Sequence, residues 1–376
     1  MPDGDTTMTV REYAGEIREL GSRWLDGVLS DPAVASAGGN AVCSPAGLWL
    51  ALAAVACGAE GETADELADL LGIAGPEAAP AVSAAAAELG ATDALAVATG
   101  LWSAAPLRDA FRASLPGIGF GPLAGRAAVD AWVADATGGL ITRLPVDVAP
   151  TVRLLVANVL ALKARWGTPF DPDFTRPRDF TPASGTPAPV PMMHRTVAAA
   201  DAWTIGAHLG PVHVVELACA GERPALIRFA LGPEGAPPAP VMSAAWAPRR
   251  AGTPLEYDEV ALALPRFALR TTLDVTAHLP ALGVHAALDA HAADFAALAD
   301  EPLCIEDVVQ ESLVKVDEEG VEAAAVTSVT MVRMSFSPTK KRILDLAFDR
   351  PFACAVMDAS GTVPLFAAYQ AAVPGA

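Results

Sequence analysis

Along the first third of the chain, apolar positions recur at helical spacing. Val10, Tyr13, Ile17, Leu20, Trp24, Val28 and Leu29 fall three or four residues apart with small drifts, which predicts an amphipathic helix with one buried stripe. Pro45 suits the first turn of a second helix, and Gly47 to Cys57 is apolar nearly all round. That helix is expected deep in the core, closed by Gly58. Thr63 and Glu66 predict a capping box for a third helix, which turns Leu67, Leu70 and Leu71 inward and stops at Gly72. The Ala-rich stretch 75–90 predicts more helix, giving way near Leu95 to a strand that reaches Trp102, and 127–137 predicts another helix. Leu154 to Leu162 is rich in Val and Leu without alternation, as in a strand covered on both faces. The stretch 235–240, half of it proline, is expected to be a loop between apolar strands. Phe352 to Met357 and Val363 to Tyr369 predict a hairpin around Asp358-Ala359-Ser360-Gly361.

The most informative segment follows a predicted strand at Leu313 to Val316. Glu318-Glu319-Gly320-Val321-Glu322 leads into Ala323 to Val332, ten residues without charge, Gly or Pro. Ordinary loops carry turn formers. This one is competent to form a strand, yet nothing nearby supplies a turn to pair it locally. An exposed apolar β-prone decamer is an aggregation hazard, and a loop of about 25 residues calls for a function. Taken alone, the same decamer fits an ordinary sheet strand equally well.

Composition narrows the classes. Of 376 residues, 52% are hydrophobic and 18% charged, enough apolar surface for a large core and too little charge for disorder. The formal charge of −19 excludes an extended nucleic-acid or heparin surface, and Lys340-Lys341-Arg342 is too short to change that. The five cysteines, Cys43, Cys57, Cys219, Cys304 and Cys354, are odd in number and widely spaced, so buried reduced thiols are expected. Met1 to Thr9 lacks the apolar core of a secretory signal, and Leu48 to Val55 is too short to cross a bilayer. A cytoplasmic chain is therefore expected, or a secreted one if the sequence is a mature form, and in either case one without membrane attachment. Scarce Asn and Lys beside abundant Ala, Arg and Pro point to a GC-rich bacterial genome. His285, Asp289, His291 and Asp294 fit no metal-ligand spacing and are read as an exposed helix; no catalytic motif for hydrolysis or for phosphate or dinucleotide binding occurs. No enzyme activity, metal or cofactor is expected.

Read together, a set of motifs resembles the serpin family from about residue 10 to 374. Asn40-Ala-Val-Cys-Ser-Pro45 is similar to the family's segment opening its central buried helix, and Gly58 to Thr63 to the turn after it. Asn158, Lys163, Trp166, Pro169-Phe170 and Thr175 match one signature in order. Phe180, Val190 to Met193, Leu264-Pro-Arg-Phe267, Asp294-Phe295, Glu319-Gly320, Arg350-Pro-Phe352 and Pro364-Leu-Phe366 follow. Each is weak; about ten in order are specific.

The resemblance implies an α+β fold in one domain spanning 1–376. It would have three β-sheets, eight to nine helices and an exposed reactive-centre loop at about 318–342. It implies a monomeric suicide-substrate inhibitor: a serine protease cuts the loop and stays esterified to it, and the cut loop enters the central sheet as a new strand, a form of strand addition. Counting from the hinge Glu319-Gly320, the inward set would be Val321, Ala323, Ala325, Thr327 and Val329, and the outward set Glu322, Ala324, Val326 and Ser328. No inward residue is charged, Pro or Gly, although the family usually has Thr or Ser where Val321 stands. The family's count from the hinge puts the scissile bond at Met334-Ser335, which favours elastase-, chymotrypsin- or subtilisin-like proteases; Arg333 is the trypsin-type alternative. Ser44, Asn158 and Gln310 are expected in the polar cluster where the sheet opens, Gln310 standing where the family has His and Gly47 where it often has a second serine. Lys163 and Trp166 are expected to pack under the top of the sheet. A non-inhibitory serpin, binding or chaperone-like, is the alternative.

Overall fold

The computed structural model describes residues 10–92, 95–123, 125–143, 152–162, 164–208, 210–320 and 341–375. In chain order the helices are α1 (Ala14–Ser30), α2 (Pro32–Ser36), α3 (Pro45–Ala56), α4 (Gly61–Leu71), α5 (Ala79–Gly90), α6 (Asp109–Ser114), α7 (Arg126–Ala136) and α8 (Pro238–Trp246). The strands are β1 (Ala41–Cys43), β2 (Leu95–Ser103), β3 (Gly119–Pro122), β4 (Leu154–Leu162), β5 (Arg176–Phe180), β6 (Ala188–Ala198), β7 (Ala202–Ile205) and β8 (Val212–Ala218). They continue with β9 (Leu226–Leu231), β10 (Thr253–Pro254), β11 (Glu259–Pro265), β12 (Phe267–Asp274), β13 (Asp307–Val316), β14 (Ile343–Ala347), β15 (Phe352–Met357) and β16 (Pro364–Gln370).

These strands build three sheets. The seven-stranded sheet runs β1-β16-β15-β9-β8-β7-β10, the four-stranded β14-β11-β6-β5, and the central five-stranded sheet β12-β13-β4-β2-β3. With eight α-helices among the described residues, this is the expected α+β architecture. The apolar periodicities explain the elements. The stripe of α1 buries Ile17, Leu20, Trp24 and Val28, and all twelve residues of α3 are buried. β4 is buried at all nine positions because it is covered on both faces. On one face α3 comes so close that Gly47 abuts Asn158 and Leu160. On the other, Val129 and Val133 of α7 pack on Leu155, Ala157 and Val159 of β4 and Val309 of β13.

Three local expectations are corrected. Thr63 and Glu66 form no capping box, because α4 starts earlier, with Glu60 at its N-cap. Thr63 is then a buried first-turn residue whose hydroxyl accepts the Asp294 N–H at 3.0 Å, while Glu66 accepts the N–H groups of His285 and Ala286 at 2.7 Å. The proline-rich stretch 235–240 is not a loop throughout: its second half is the first turn of α8, which Pro238 opens, and a helix rather than a strand continues from it. A first-turn proline forfeits no helical hydrogen bond, so the prolines that suggested a loop in fact open a helix. His285 to Asp294 is a short 3-10 turn (Ala286–Leu288) and loop, not an α-helix. Gly72 closes α4 and divides the apolar 61–90 region, so α4 and α5 have only 11 and 12 residues, each too short to span a membrane.

All five cysteines are free; four are buried and Cys304 is partly so. Burial pushes the thiols of Cys43, Cys57 and Cys219 up to about 12, which leaves them protonated and inert.

Candidate functional site

β4 and β13 lie side by side in parallel, from Asp307↔Leu155 to Leu313↔Ala161. Among the described residues they are the one parallel pair at the interior of the central sheet; β2–β3, also parallel, is at its edge. At its top β13 does not continue outward. Asp317 makes the turn: its carboxylate accepts the N–H groups of Glu319 (3.1 Å) and Gly320 (3.2 Å), and its own N–H donates to the Gly320 carbonyl (2.8 Å). The chain thereby reverses, and Gly320 forms an antiparallel bridge with Arg165, just beyond β4. Trp166 fastens this rung, its N–H donating to the Glu319 carbonyl (3.0 Å) and its indole Nε1 to the Asp317 carbonyl (2.8 Å). It is buried against Phe170 and Phe229. Gly320 sits at φ 140°, and a Cβ there would lie 2.1 Å from the Ala164 carbonyl oxygen, so no other residue fits this hinge.

Glu318, the residue between Asp317 and the rung, is clamped. Arg266, between β11 and β12, donates to both its oxygens from Nε and Nη2, at 2.7 and 2.5 Å. Thr175 Oγ1 adds a third hydrogen bond at 2.5 Å. Burial works to raise the Glu318 pKa, but the Arg266 and Thr175 hydrogen bonds outweigh it and bring the carboxyl below its ordinary range. A depressed carboxylate pKa contributes stability above the unfolded value, lost as pH falls through the folded one. The clamp is therefore intact at neutral pH and released only once the pH falls below the ordinary glutamate range. Glu318→Gln is expected to cost about 2 kcal/mol, discounted for the partial exposure of Arg266, and to lower the melting temperature by about 2–3 °C at neutral pH but by little at pH ~3. Thermal melts of both proteins at the two pH values check this; an equal loss at both would show that charge is not what holds the hinge.

Lower down, Ser44, Asn158 and Gln310 meet as expected. The Gln310 side chain brackets Ser44, accepting its N–H at 2.6 Å and donating to its carbonyl at 2.9 Å. The same amide nitrogen donates to Asn158 Oδ1 at 3.1 Å, and Asn158 donates on to Thr99 of β2 at 2.9 Å. Ser44 Oγ caps α3 by accepting the Gly47 N–H and donates to the Leu365 carbonyl of β16. The cluster thus stitches β13 to β4 and both to the helix beneath, with four buried polar side chains satisfied. Gln supplies an acceptor and donors on one planar amide but no titratable group.

Gly47 is the complement of this arrangement: a Cβ would fall 2.1 Å from Asn158 Oδ1 and 2.7 Å from a Leu160 methyl. In this structure Asn158 and Leu160 occupy the space that a side chain at position 47 would need. Gly47→Ser is expected to destabilise by about 1–3 kcal/mol. A melt of the variant at or above that of the parent would mean that Asn158 swings clear.

On the α7 side of the sheet, Glu311 is fully buried. It accepts hydrogen bonds from Arg270 and Thr272, both on the neighbouring β12. Burial holds its carboxyl above the usual range, with the two hydrogen bonds pulling the other way.

Of the sequence-derived residues, Ser44, Asn158, Trp166, Gln310, Glu319 and Gly320 are thus placed along the β4–β13 line. Lys163 lies outside the described residues, as do Val321, Glu322, Ala323, Ala324, Ala325, Thr327, Val329, Arg333, Met334 and Ser335. Sequence reasoning missed the roles of Asp317, Glu318, Thr99 and Glu311. It included Thr175 and Arg266 in motifs without assigning them a partner.

Three sheets and eight described helices, with β4 and β13 as parallel neighbours in the central sheet and a reversed hinge beside the end of β4, make up the fold that the motifs imply. The comparisons with known proteins agree. The family model described as Serpin (serine protease inhibitor) matches residues 29–370. The chain is 29% identical to putative serpin-Z6C of Oryza sativa subsp. japonica over 389 residues, covering 89% of this chain and 91% of the relative. Among solved structures it is similar to tengpin, a thermophilic serpin in the native state, with TM-score 0.80, 20% identity, and 96% and 94% of the two chains covered. It is also similar to human thyroxine-binding globulin in complex with thyroxine, with TM-score 0.78, 20% identity, and 96% and 100% covered. The chain belongs to the serpin family.

Proposed function

We propose that the chain is an inhibitor of serine proteases that acts as a suicide substrate. The observation that carries this reading is the β4–β13 pair, parallel and adjacent, with Gly320 already turned back antiparallel beside the end of β4. A strand entering between them would run antiparallel to both, replacing one parallel ladder with two antiparallel ones, which are the more stable per residue.

The protease serine attacks the carbonyl of Met334. The Met334-Ser335 amide breaks, the amine of Ser335 leaves with a proton, and the protease remains as an ester on Met334. Residues 321–332 then enter the slot with Val321, Ala323, Ala325, Thr327 and Val329 facing α3. Residues 321–332 span about 40 Å as a strand, enough to run the length of the nine-residue β4. The attached protease is carried to the far end of the sheet before water reaches the ester. Trapping is a race between insertion and deacylation, and the uncut state persists behind a kinetic barrier. With Met334 at the cut, an elastase-, chymotrypsin- or subtilisin-like target fits; cleavage after Arg333 would suit a trypsin-like one.

A non-inhibitory binding role is the second reading, favoured by the likeness to thyroxine-binding globulin. The test is incubation with one protease of each type. An SDS-resistant complex and a released fragment beginning at Ser335 are expected. Cleavage without complex, by every protease that cuts, would leave only the binding reading.

A further inference from the structure

A cavity of about 1010 Å³ opens between the end of α1, α2 and the turn after it, the end of β5 and its turn, the β9–α8 connection, the 349–351 segment and the end of β16. Backbone already joins its walls: the Thr181 N–H donates to the Asp349 carbonyl and the Ala183 N–H to the Ala371 carbonyl, both at 2.8 Å. Leu29, Val34, Pro182, Pro238, Pro351 and Ala371 give it an apolar lining.

Two hydrogen-bond donors in this lining have capacity left over. Tyr369, in β16, lines the cavity and is only 5% exposed, yet its hydroxyl makes no hydrogen bond among the described residues. Burial pushes that hydroxyl up to about 12, so at neutral pH it stays protonated and remains a donor. A buried polar group without a partner is rare in a folded protein and calls for one. Arg178 is half-buried and spends only Nη2, on Asp349 at 3.2 Å. Its Nε and Nη1 are left over among the described residues. Arg350 is engaged through all three nitrogens, Nε and Nη2 to the Gly232 carbonyl at 3.2 and 2.9 Å and Nη1 to Asp349 at 3.3 Å. Asp349 therefore faces two guanidiniums, and the trio carries one surplus positive charge. Asp179 and Glu234 also line the cavity, but both are exposed to solvent. The more deeply placed groups are donors, and the solvated ones are acceptors.

We propose that this cavity binds an apolar monocarboxylic acid, its carboxylate held between Arg178 and the Tyr369 hydroxyl and its body laid against the leucine, valine and proline lining. A carboxylate has four lone-pair sites, enough for a guanidinium fork and a hydroxyl together, and the charge-assisted bonds are the strong ones. The outlying Asp179 and Glu234 oppose a second negative charge, which favours a single carboxylate over a phosphate. The volume lies at the upper end of small-molecule sites, leaving ample space for the apolar body. An occupant would tie α1 and α2 to β5 and β16 and stabilise the fold by mass action.

The test is calorimetric titration of the full chain with octanoate, with melts run alongside. 1-Octanol lacks the charge, acetate lacks the body and octylamine reverses the sign. Octanoate is expected to bind and to raise the melting temperature, and each of the three controls to bind at least about tenfold more weakly. Tyr369→Phe removes only an unpartnered hydroxyl, so the fold is kept and the variant stays informative even if Arg178→Gln loosens the Asp349 contact. Each of the two is expected to weaken octanoate at least about fivefold, whereas Arg143→Ala, an exposed arginine elsewhere, leaves it unchanged. No binding at about 5 mM octanoate, equal binding of 1-octanol or octylamine, unchanged affinity in Tyr369→Phe or Arg178→Gln, or an equal loss in Arg143→Ala would overturn the proposal.

Discussion

Ala325→Glu is expected to turn the proposed inhibitor into a substrate. In the proposed register Ala325 faces α3, on the side of the slot where Asn158 and Gln310 are fully buried. The polar groups there are already paired with one another and with the Ser44 backbone, so an arriving carboxylate finds no counter-charge. Burying it unpaired costs several kcal/mol. Insertion, one arm of the race, slows by about tenfold for each 1.4 kcal/mol, while deacylation is untouched. The ratio of cleaved inhibitor to SDS-resistant complex should therefore rise at least about tenfold. Ala324→Glu, one residue away and facing outward, should trap nearly as well as the parent. If the two variants exchange behaviour, the strand enters one residue out of register; if neither matters, it does not enter.

The nicked chain should melt at least about 10 °C above the intact one. Filling the slot buries five inward side chains at roughly 1–2 kcal/mol each and converts the ladder. A chain of 376 residues has an unfolding entropy near 0.8 kcal/mol/K, so about 8 kcal/mol corresponds to about 10 °C. Scanning calorimetry before and after limited cleavage in the loop makes the measurement. Equal melting temperatures would mean that the cut loop stays outside, and the trapping mechanism would fall with it.

Much of the fold was legible because local pattern and burial agree. The all-apolar run of α3 and the non-alternating Val and Leu of β4 could only be buried, and both are. α8 was not legible, because proline reads as a breaker unless one knows that it falls in a first turn. Thr63 and Glu66 satisfied a short-range capping pattern, yet each serves a partner more than 200 residues away, Asp294 and His285, and the long-range contact won. The site divides in the same way. Ser44, Asn158 and Gln310 were placed together by motif order, and their hydrogen bonds are there. The Arg266–Glu318–Thr175 clamp spans 52 and 143 residues of sequence, and nothing in the local pattern of any of the three announces the others. Asp317 was the one missed residue with a local signal, an Asp three before a Gly at the end of a strand, the usual grammar of an Asx turn.

The buried carboxylate of Glu311 has a mechanical consequence. By binding Arg270 and Thr272 it rivets β13 to β12 with a charged clasp, while among the described residues β13 meets β4 through the backbone ladder, the Gln310–Asn158 amide contact and apolar packing of Val309. Under strain the sheet has one weld and one perforation, side by side. In the proposed mechanism the outer two strands would swing as a single door leaf, and the tear line would fall where the cut loop is to enter.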